Sequence, residues 1–325
     1  MVWPRDDRRV SDFPSQVLEN WDIPEHPSVR APQLGAMNET WLLEWPGERA
    51  VLRRHRRLAR AEVEFEHRVL AHARSGGVPC PAVIPTGRGS SLVEDGGRFY
   101  SLYTWAPGSQ VLRGHLDAEH ARSMGTMLAL THSVLADLAG GPEAHDPIVP
   151  LDQTLGRIEE LIRVAQAFPD RSRLAWAIDD LTSRSRWLST TRPEPPPQTA
   201  AASQVIHGDY QDANVFFEAG QVSCVIDWDK ARREVPAREI VRSMDYALGL
   251  EPLLCQQFLE GYRAIIPVTP DQLDEAAEWF SYQEATDSLW PIEQLLLHNN
   301  DRVGSGTGHK PFKAFSQRWA TPALT

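Results

Sequence analysis

Four polar side chains follow one another in an order that suits phosphoryl transfer. Residues 205–228, VIHGDYQDANVFFEAGQVSCVIDW, include His207, Asp209, Asn214 and Asp227. Asp209 stands five residues before Asn214, and Asn214 stands thirteen before Asp227. A carboxylate can orient a hydroxyl group that attacks phosphorus, while an asparagine carbonyl and a second carboxylate are oxygen ligands of the kind that Mg²⁺ binds. We therefore expect Asp209 to be catalytic and Asn214 and Asp227 to hold a metal ion.

Each of these residues also has an ordinary structural interpretation. Aspartate is common in turns, where its side chain bonds its own backbone, so Asp209 or Asp227 alone could be a turn residue. The three residues together, in this order and at this spacing, favour the functional interpretation. For His207 we expect hydrogen bonds to the backbone that hold the loop, rather than a role as the base. We interpret Asp229 as a loop or helix-start residue, rather than as a metal ligand.

Short apolar runs must position these side chains. Residues 205–206, 215–217 and 222–226 have the composition of strands, so the polar groups fall at strand ends and in the loop between them. That placement is typical of functional sites, because loops on a rigid scaffold carry many binding and catalytic residues.

Length and charge limit the class of protein. The chain has 325 residues, more than a single hydrophobic core usually holds, so we expect two packed units. Its formal net charge is −11, and residues 1–75 contain twelve arginines and twelve acidic residues, so the acidic excess follows them. An acidic protein is poorly suited to bind nucleic acid, because phosphate neutralisation needs a basic face. The acidic second part could concentrate a cationic substrate or could simply favour solubility.

The sequence predicts neither a membrane span nor a secretory signal. No apolar run approaches the roughly eighteen residues that span a bilayer, and MVWPRDDRRVSDFP lacks the apolar stretch of a signal peptide. Cys80, Cys224 and Cys255 are odd in number and lack metal-binding spacing, which fits a reducing compartment. We expect a cytoplasmic monomer or homodimer with no nucleic-acid or membrane partner.

The first hundred residues predict a small sheet with one helix. Residues 41–45 and 50–53 are strand-like and are separated by the turn signal Pro46-Gly47. Apolar residues at helical spacing predict a helix over residues 59–74, which Gly76-Gly77 would end. Further strand-like runs are residues 83–84, 91–93 and 99–103, and a turn at residues 106–108 marks a boundary.

The chain after this turn is predicted to be mainly helical. Helix-length patterns cover residues 118–138, 151–168 and 173–188, and residues 239–296 with breaks near Pro267 and Pro270. The proline-rich residues 192–197 can form neither a regular helix nor a central strand, so they predict a loop before the strand that ends at His207. The polar tail after Asn299 is expected to be loosely held.

The segments HGDYQDAN and VIDWDKA resemble motifs of the aminoglycoside phosphotransferase-like family, whose members are small-molecule kinases with a protein-kinase-like fold. The resemblance implies an α+β, two-lobed fold with a small, mostly β first lobe that has one key helix, and a larger, mainly helical second lobe. It places the first lobe at residues 1–105, the hinge at about residues 102–108 and the second lobe at residues 106–325. It also implies ATP or GTP as the phosphate donor and Mg²⁺ as the metal.

The resemblance assigns roles to single residues. Asp209 matches the catalytic base, Asn214 a metal ligand and Asp227 the aspartate that binds Mg²⁺. In the first lobe, Arg53 matches the basic residue that faces the nucleotide phosphates, and Glu66 matches the helical glutamate that holds it. The family often has lysine at the position of Arg53, and a planar guanidinium does not replace an ammonium group neutrally.

Three further assignments concern the nucleotide. Gly35 lies in the loop that would cover the phosphates, although this loop has one glycine and no GxGxxG pattern. A lone glycine is more often only a turn residue. Tyr103 and Trp105 lie in the segment that resembles the hinge, whose backbone would pair with adenine.

We expect a kinase that transfers the γ-phosphate to a hydroxyl group of a small-molecule acceptor. One alternative is a metabolite kinase of the homoserine, choline or sugar type. Another is a catalytically degenerate fold that binds nucleotide or a partner, which the single loop glycine and Arg53 favour and the presence of the catalytic trio opposes. Candidates for the acceptor pocket, for each of which we favour the interpretation as an ordinary surface or core helix residue, are Glu278, Glu284, Asp287 and Trp290.

Overall fold

The computed structural model describes residues 13–23, 27–30, 39–55, 59–143, 148–168, 174–197, 202–287, 289–298 and 312–320. The chain divides into two units. The first comprises Met1–Glu143, Ser203–Pro236 and Tyr246–Pro267, and the second comprises Ala144–Ala202, Ala237–Asp245 and Val268–Thr325. The described residues with a predicted catalytic, metal or nucleotide role all lie in the first unit. The predicted lobes, residues 1–105 and 106–325, divide the chain at a single point and are not the same as these two units. The boundary at residues 102–108 stays a prediction.

An antiparallel sheet of six strands forms the described amino-terminal part of the first unit. Along one path the strand order is β1-β2-β3-β6-β4, and β5 also pairs with β6. The strands are β1 (Ser28–Arg30), β2 (Glu39–Trp45), β3 (Glu48–His55), β4 (Val83–Ile84), β5 (Val93–Asp95) and β6 (Arg98–Thr104). The predicted strands are confirmed, although β5 begins two residues later than expected. β1 was not predicted, because three residues are too short to show a period.

Large apolar side chains form the core against this sheet. Trp41, Leu43 and Leu52 on β2 and β3 are almost fully buried and pack with Trp21. Trp21 follows a 3₁₀ helix, Ser15–Asn20, and its indole N–H donates to the Ile84 carbonyl at 2.9 Å. Alternating buried and partly exposed residues along β2 and β3 are what a sheet with one covered face requires.

The predicted first helix is confirmed as α1, Arg60–Ser75. Val63, Leu70 and Ala73 recur at helical spacing and are buried, so this face packs inward. The Glu62 carboxylate accepts the Ala59 N–H at 2.6 Å, which satisfies one of the donors left open at a helix start. Two polar residues, Glu66 and His67, share the buried face and enter the site described below.

Two smaller sheets carry the later part of the first unit. The first has the order β10-β9-β7, with β7 at Ser109–Gln110, β9 at Val215–Glu218 and β10 at Gln221–Val225. The second pairs β8, Gln204–Ile206, with β11, Arg232–Glu234. The predicted strands β8, β9 and β10 are confirmed, whereas β7 and β11 carry no local pattern and form because partners arrive from distant sequence.

The remaining described helices confirm the predicted helical content. They are α2 (Ala118–Leu135), α3 (Leu151–Ala167), α4 (Ala175–Thr191), α5 (Pro236–Tyr246), α6 (Pro252–Arg263), α7 (Pro270–Thr286) and α8 (Trp290–His298). Residues 192–197 are neither helix nor strand, as their prolines predict. The three cysteines are free and buried. Among the described helices, none combines the length and apolar composition needed to cross a membrane.

In the second unit, a hydrophobic core joins its helices. Ile158, Leu161, Leu181 and Ile292, from α3, α4 and α8, are buried within one cluster. The described carboxyl-terminal residues are attached to this unit by Arg318. Its guanidinium pairs with Asp245, and it contacts Glu284 at 2.8 Å. The polar tail that the sequence predicts after Asn299 lies outside the described residues up to residue 311.

Candidate active site

His207 ties the loop after β8 to the segment that precedes Asp227. Its Nδ1 accepts the Asp209 N–H at 3.1 Å, so its Nε2 carries the proton and donates to the Ile226 carbonyl at 2.9 Å. The ring is fully buried against Trp228, with ring centroids 4.5 Å apart. His207 therefore makes the backbone bonds that the sequence predicts for it, in the neutral form that this pattern of donors and acceptors requires.

Gly208 allows two loops to cross at close range. Its φ is +83°, and an added Cβ would lie 2.1 Å from the Lys230 carbonyl oxygen. The Arg232 guanidinium donates to both carbonyls at this crossing, to Gly208 at 3.2 Å and to Lys230 at 3.4 Å. Only glycine fits both the left-handed backbone and the close approach. The crossing brings the residues that follow Gly208 next to those that follow Asp227.

Asp209 has hydrogen-bond donors at both carboxylate oxygens. Gln211 Nε2 lies 3.1 Å from Oδ1, and Lys230 Nζ lies 3.0 Å from Oδ2. Asp209 is 5% exposed, so its charge is held in a largely desolvated place by a cation and an amide. The sequence analysis did not identify Lys230. The sequence shows that Lys230 lies three residues after Asp227. It does not predict the loop crossing that brings Lys230 next to Asp209.

Asn214 links the loop that carries the predicted catalytic residue Asp209 to the segment that carries the predicted metal ligand Asp227. Its side-chain Nδ2 donates to the backbone carbonyl of Asp209 at 2.8 Å, and its backbone carbonyl accepts the Ile226 N–H at 2.9 Å. The first bond commits the amide nitrogen and leaves the amide oxygen as the side-chain atom available to a cation. The structure thus brings Asp209 and Asn214 together, and it joins both to the strand end that carries Asp227.

Asp227 occupies an unusual backbone conformation. Its φ is +65°, in the left-handed region that residues other than glycine rarely adopt. Its side chain is 37% exposed, although Val225, two residues earlier, is fully buried. Such strain is found where the surrounding structure holds a side chain in a required direction. Here it presents the carboxylate to the site.

Arg53 gathers three carboxylates from two distant parts of the chain. Its Nη1 lies 3.2 Å from Glu66 Oε1, while its Nη2 pairs with Asp227 and lies 3.3 Å from Asp229 Oδ2. Burial opposes the charge of Arg53, but Asp227, Glu66 and Asp229 outweigh it and hold the pKa of Arg53 well above its usual value. The structure therefore brings the predicted pair Arg53 and Glu66 together with Asp227. Asp229, interpreted as a loop or helix-start residue, lies in the loop and also pairs with Arg53.

A buried polar layer supports Glu66. The Tyr103 hydroxyl donates to Glu66 Oε1 at 3.4 Å, and His67 Nε2 lies 3.1 Å from the same hydroxyl. His55 Nδ1 lies 3.8 Å from Glu66 Oε2, and its Nε2 lies 3.0 Å from Ser101 Oγ. Burial raises the pKa of Glu66 to about 7, although Arg53 opposes the rise. Burial, reinforced by Arg53, lowers the pKa of His67 to about 4 and that of His55 to about 2.

Sequence reasoning missed both histidines of this layer. A signal for one of them existed, because His67 stands four residues after Val63 and three before Leu70, on the apolar face of α1. The sequence signal for His55 was weaker, because a residue at a strand end beside several arginines is typical of a solvated surface. The lowered pKa values keep both rings neutral, so their burial in this polar layer adds no unpaired charge.

The predicted nucleotide residues have different surroundings. Tyr103 is buried in β6, opposite Val51 of β3 and Val83 of β4. Trp105 follows the strand, is partly exposed, and has the Arg49 guanidinium 4.5 Å above its ring. Gly35 lies outside the described residues. The hinge and loop assignments of these residues stay predictions.

The sheet of the first unit, its helix with a buried glutamate and its Asp-Asn-Asp arrangement are those of a phosphotransferase with a protein-kinase-like fold. Residues 28–280 match the model of the phosphotransferase enzyme family. The chain belongs to that family. The resemblance deduced from HGDYQDAN and VIDWDKA is thereby confirmed.

Individual relatives agree with this assignment. The chain is 24% identical to a homoserine kinase of Bartonella tribocorum over 250 residues, which cover 74% of this chain and 73% of that protein. It is also similar to the structure of an amicoumacin kinase with AMP-PNP, Ca²⁺ and Ami, with a TM-score of 0.62, 12% identity and coverage of 97% and 100% of the two chains. A spectinomycin phosphotransferase with ADP and spectinomycin gives a TM-score of 0.58 at 15% identity, with coverage of 91% and 88%. At these identities the two structures establish the fold, which confirms the predicted fold class.

Substitution of Gly208 tests the loop crossing. Gly208→Ala is expected to lower the free energy of unfolding by about 2 kcal/mol or more, because its Cβ would meet the Lys230 carbonyl at 2.1 Å. Gly89→Ala is the matched control. Gly89 has a similar φ of +80°, but an added Cβ would meet no atom of the described residues within 4 Å, so only the backbone penalty of about 1 kcal/mol remains. Equal losses in urea unfolding of the two variants would contradict the close crossing.

The pH dependence of stability tests the burial of Glu66. Because the pKa of Glu66 is raised from 4.5 to about 7, its contribution to stability is fully present below about pH 4.5 and is lost as the pH rises through about 7. Glu66→Gln should therefore lose less stability than the wild type between about pH 5 and about pH 8 in urea unfolding. Glu64→Gln changes a half-exposed glutamate of the same helix and should keep the wild-type dependence. An unchanged loss in Glu66→Gln would show that Glu66 does not bind this proton.

Proposed function

We propose that the protein is a Mg²⁺-dependent kinase that transfers the γ-phosphate of ATP or GTP to a hydroxyl group of a small-molecule acceptor. The observation that carries the proposal is the position of Asn214. It bonds the backbone of Asp209 on one side and that of Ile226, next to Asp227, on the other. This arrangement holds a candidate base and two candidate metal ligands in one rigid group, as in-line phosphoryl transfer demands.

The residues present suit a divalent metal ion. The amide oxygen of Asn214 and the carboxylate of Asp227 are hard oxygen ligands, and the left-handed backbone of Asp227 keeps its side chain accessible. When bound there, Mg²⁺ would neutralise charge on the nucleotide phosphates. A nucleotide and a divalent ion accompany the similar amicoumacin kinase structure, and ADP accompanies the spectinomycin phosphotransferase. These relatives support the same requirement in this chain.

The chain's own residues supply orientation and charge. Asp209 accepts a hydrogen bond from the acceptor hydroxyl and directs its oxygen toward the γ-phosphorus. Arg53, held by Glu66, places a guanidinium beside Asp227, where it limits movement of that carboxylate and faces the phosphates. Trp105 and the backbone near Tyr103 would contact the adenine or guanine ring of the nucleotide, and the loop with Gly35 would cover the phosphates.

The identity of the acceptor has two candidate classes. An antibiotic acceptor has the support of the structural neighbours, which include kinases of amicoumacin and spectinomycin. A metabolite acceptor of the homoserine type has the support of the curated relative, which matches over about three quarters of both chains. The acceptor candidates Glu278, Glu284, Asp287 and Trp290 lie in the second unit, where Glu284 is engaged by Arg318 and where Glu278 and Asp287 are exposed. Acceptors of both classes therefore belong in the first test.

The catalytic role of Asp209 is tested by turnover. Asp209→Asn keeps the shape of the side chain but removes its charge, and it should lower kcat by about 100- to 10,000-fold. The measurement is Mg²⁺-dependent ADP release with a panel that includes homoserine, amino alcohols and aminoglycosides. Asp212→Asn is the control, since Asp212 is buried to a similar degree in the same loop and bonds the Arg113 N–H instead. Full activity of Asp209→Asn with any acceptor would refute the role, and nucleotide binding without transfer to any acceptor would favour a binding protein.

The metal role of Asp227 is tested without turnover. In the wild type, AMP-PNP should raise the melting temperature only when Mg²⁺ is present, and EDTA should remove the increase. Asp227→Asn should raise the Mg²⁺ concentration needed for half of this increase by about tenfold or more, because a carboxylate ligand is lost. Asp137→Asn changes an exposed carboxylate and should behave as the wild type. A wild-type Mg²⁺ requirement in Asp227→Asn would exclude Asp227 as a ligand.

A further inference from the structure

Lys230 lies at the candidate base and has no role in the proposed function so far. Its Nζ is 3.0 Å from Asp209 Oδ2, while half of its side chain, 49%, is exposed. Its backbone is fixed where Gly208 passes its carbonyl and Arg232 binds both. The loop crossing therefore holds the backbone of Lys230, and Asp209 holds its Nζ. The ammonium group thus borders both Asp209 and solvent.

Phosphoryl transfer is assisted by cations placed beside the transferring group. Charge is spread over the oxygens of the transferring phosphoryl group, and donors placed beside them stabilise the transition state. Asp209, the acceptor oxygen and the phosphoryl oxygens are all electron-rich and must come close together. Without a cation between them, their mutual repulsion would oppose the reaction. A cation beside Asp209 would therefore add to the neutralisation that Mg²⁺ provides at the nucleotide, and the Lys230 ammonium group is such a cation.

Arg53 is poorly placed to supply this charge. Its side chain is only 13% exposed, and its two terminal nitrogens already bind Glu66, Asp227 and Asp229. Moving the guanidinium to the phosphoryl group would leave three carboxylates without their cation, two of them largely buried. Arg53 therefore suits a fixed role beside the metal carboxylate. Lys230 is more exposed and pairs with one carboxylate among the described residues.

An ammonium group has the geometry that this position needs. Lysine carries three N–H donors on a flexible stem. One donor can stay on Asp209 Oδ2 while the other two reach incoming phosphoryl oxygens. A carboxylate oxygen can accept more than one hydrogen bond. Asp209 can therefore bind Lys230 and still accept a hydrogen bond from the hydroxyl group that receives the phosphate. The same ammonium group can therefore hold the base and the electrophile against each other.

On these grounds we propose that Lys230 is a catalytic residue that contacts the transferring phosphoryl group while it remains paired with Asp209. The proposal rests on the proposed kinase function and extends it. It assigns Arg53, at the position where the family often has lysine, to holding the metal carboxylate, and it assigns the phosphoryl contact to a lysine from another part of the chain.

The lysine content of the chain provides a direct test. The sequence has three lysines, Lys230, Lys310 and Lys313. An acyl phosphate of ATP, with its acyl group on the γ-phosphate, reacts with a nearby lysine amine, which attacks the acyl carbon. An amide forms, ATP leaves with the acyl–phosphate bond electrons, and the amine proton goes to solvent. Peptide mass spectrometry of the full chain then identifies the labelled lysine.

We expect labelling of Lys230 that excess ATP with Mg²⁺ suppresses at least about tenfold, because bound ligand at well above its dissociation constant excludes the probe. Lys313, which is exposed, should show only slow labelling that ATP does not change. Thermal stabilisation by Mg²⁺ and AMP-PNP is measured in parallel. If nucleotide binds but Lys230 is not labelled, or is labelled equally with and without ATP, this inference fails and the proposed function stands. If no nucleotide binds, both fail.

Kinetics separate a phosphoryl contact from a merely structural one. Lys230→Ala should lower kcat by about 10- to 1,000-fold, while the KM for nucleotide changes by less than about threefold, because the contact strengthens in the transition state. Lys230→Arg should recover a substantial part of kcat, and Lys313→Ala should match the wild type. Unchanged kcat in Lys230→Ala would overturn the inference. So would a loss that Lys230→Arg does not relieve at all, since that outcome indicates packing and not charge.

Discussion

The backbone of Ile226 is the point at which the two halves of the candidate site are fixed to each other. Its N–H donates to the Asn214 carbonyl, and its own carbonyl accepts from His207. Ile226 directly precedes Asp227, and both of its partners belong to the loop that carries Asp209. Neither carboxylate can shift far without breaking a buried hydrogen bond, which costs about 1–3 kcal/mol. The site is therefore organised before any ligand arrives, which is the main contribution a protein makes to phosphoryl transfer.

Electrostatics complement this rigid frame. Glu66, Asp227 and Asp229 surround Arg53, so three carboxyl groups face one guanidinium, and the local net charge is negative whether or not Glu66 carries a proton. Buried charge without a partner is unfavourable, and the raised pKa of Glu66 is one consequence of its burial. A divalent cation carries the charge that would balance this excess. The same imbalance that lowers the stability of the free protein thus favours metal and nucleotide together.

The sequence predicted what depends on local patterns. Helix α1 was predicted to within one residue at each end, because its apolar period is local. Asp209, Asn214 and Asp227 were recognised by order and spacing, and the structure links them. The contact of Lys230 with Asp209 could not be predicted, because it requires the chain to fold back at Gly208 across a second loop. For the same reason the sequence did not predict the pairing of Arg53 with Asp227, which are separated by 174 residues.

The left-handed backbone of Asp227 has a consequence for protein engineering. Glycine, or to a lesser degree asparagine, adopts that conformation more readily, and an L-residue held there forfeits about 1–2 kcal/mol. A search for more stable variants that is guided only by melting temperature would therefore select glycine or asparagine at position 227, and the carboxylate would be lost. Stability and function compete at this residue. Libraries built on this scaffold should keep Asp227 constant and look for added stability in the second unit, whose helices carry none of the described candidates for catalysis or metal binding.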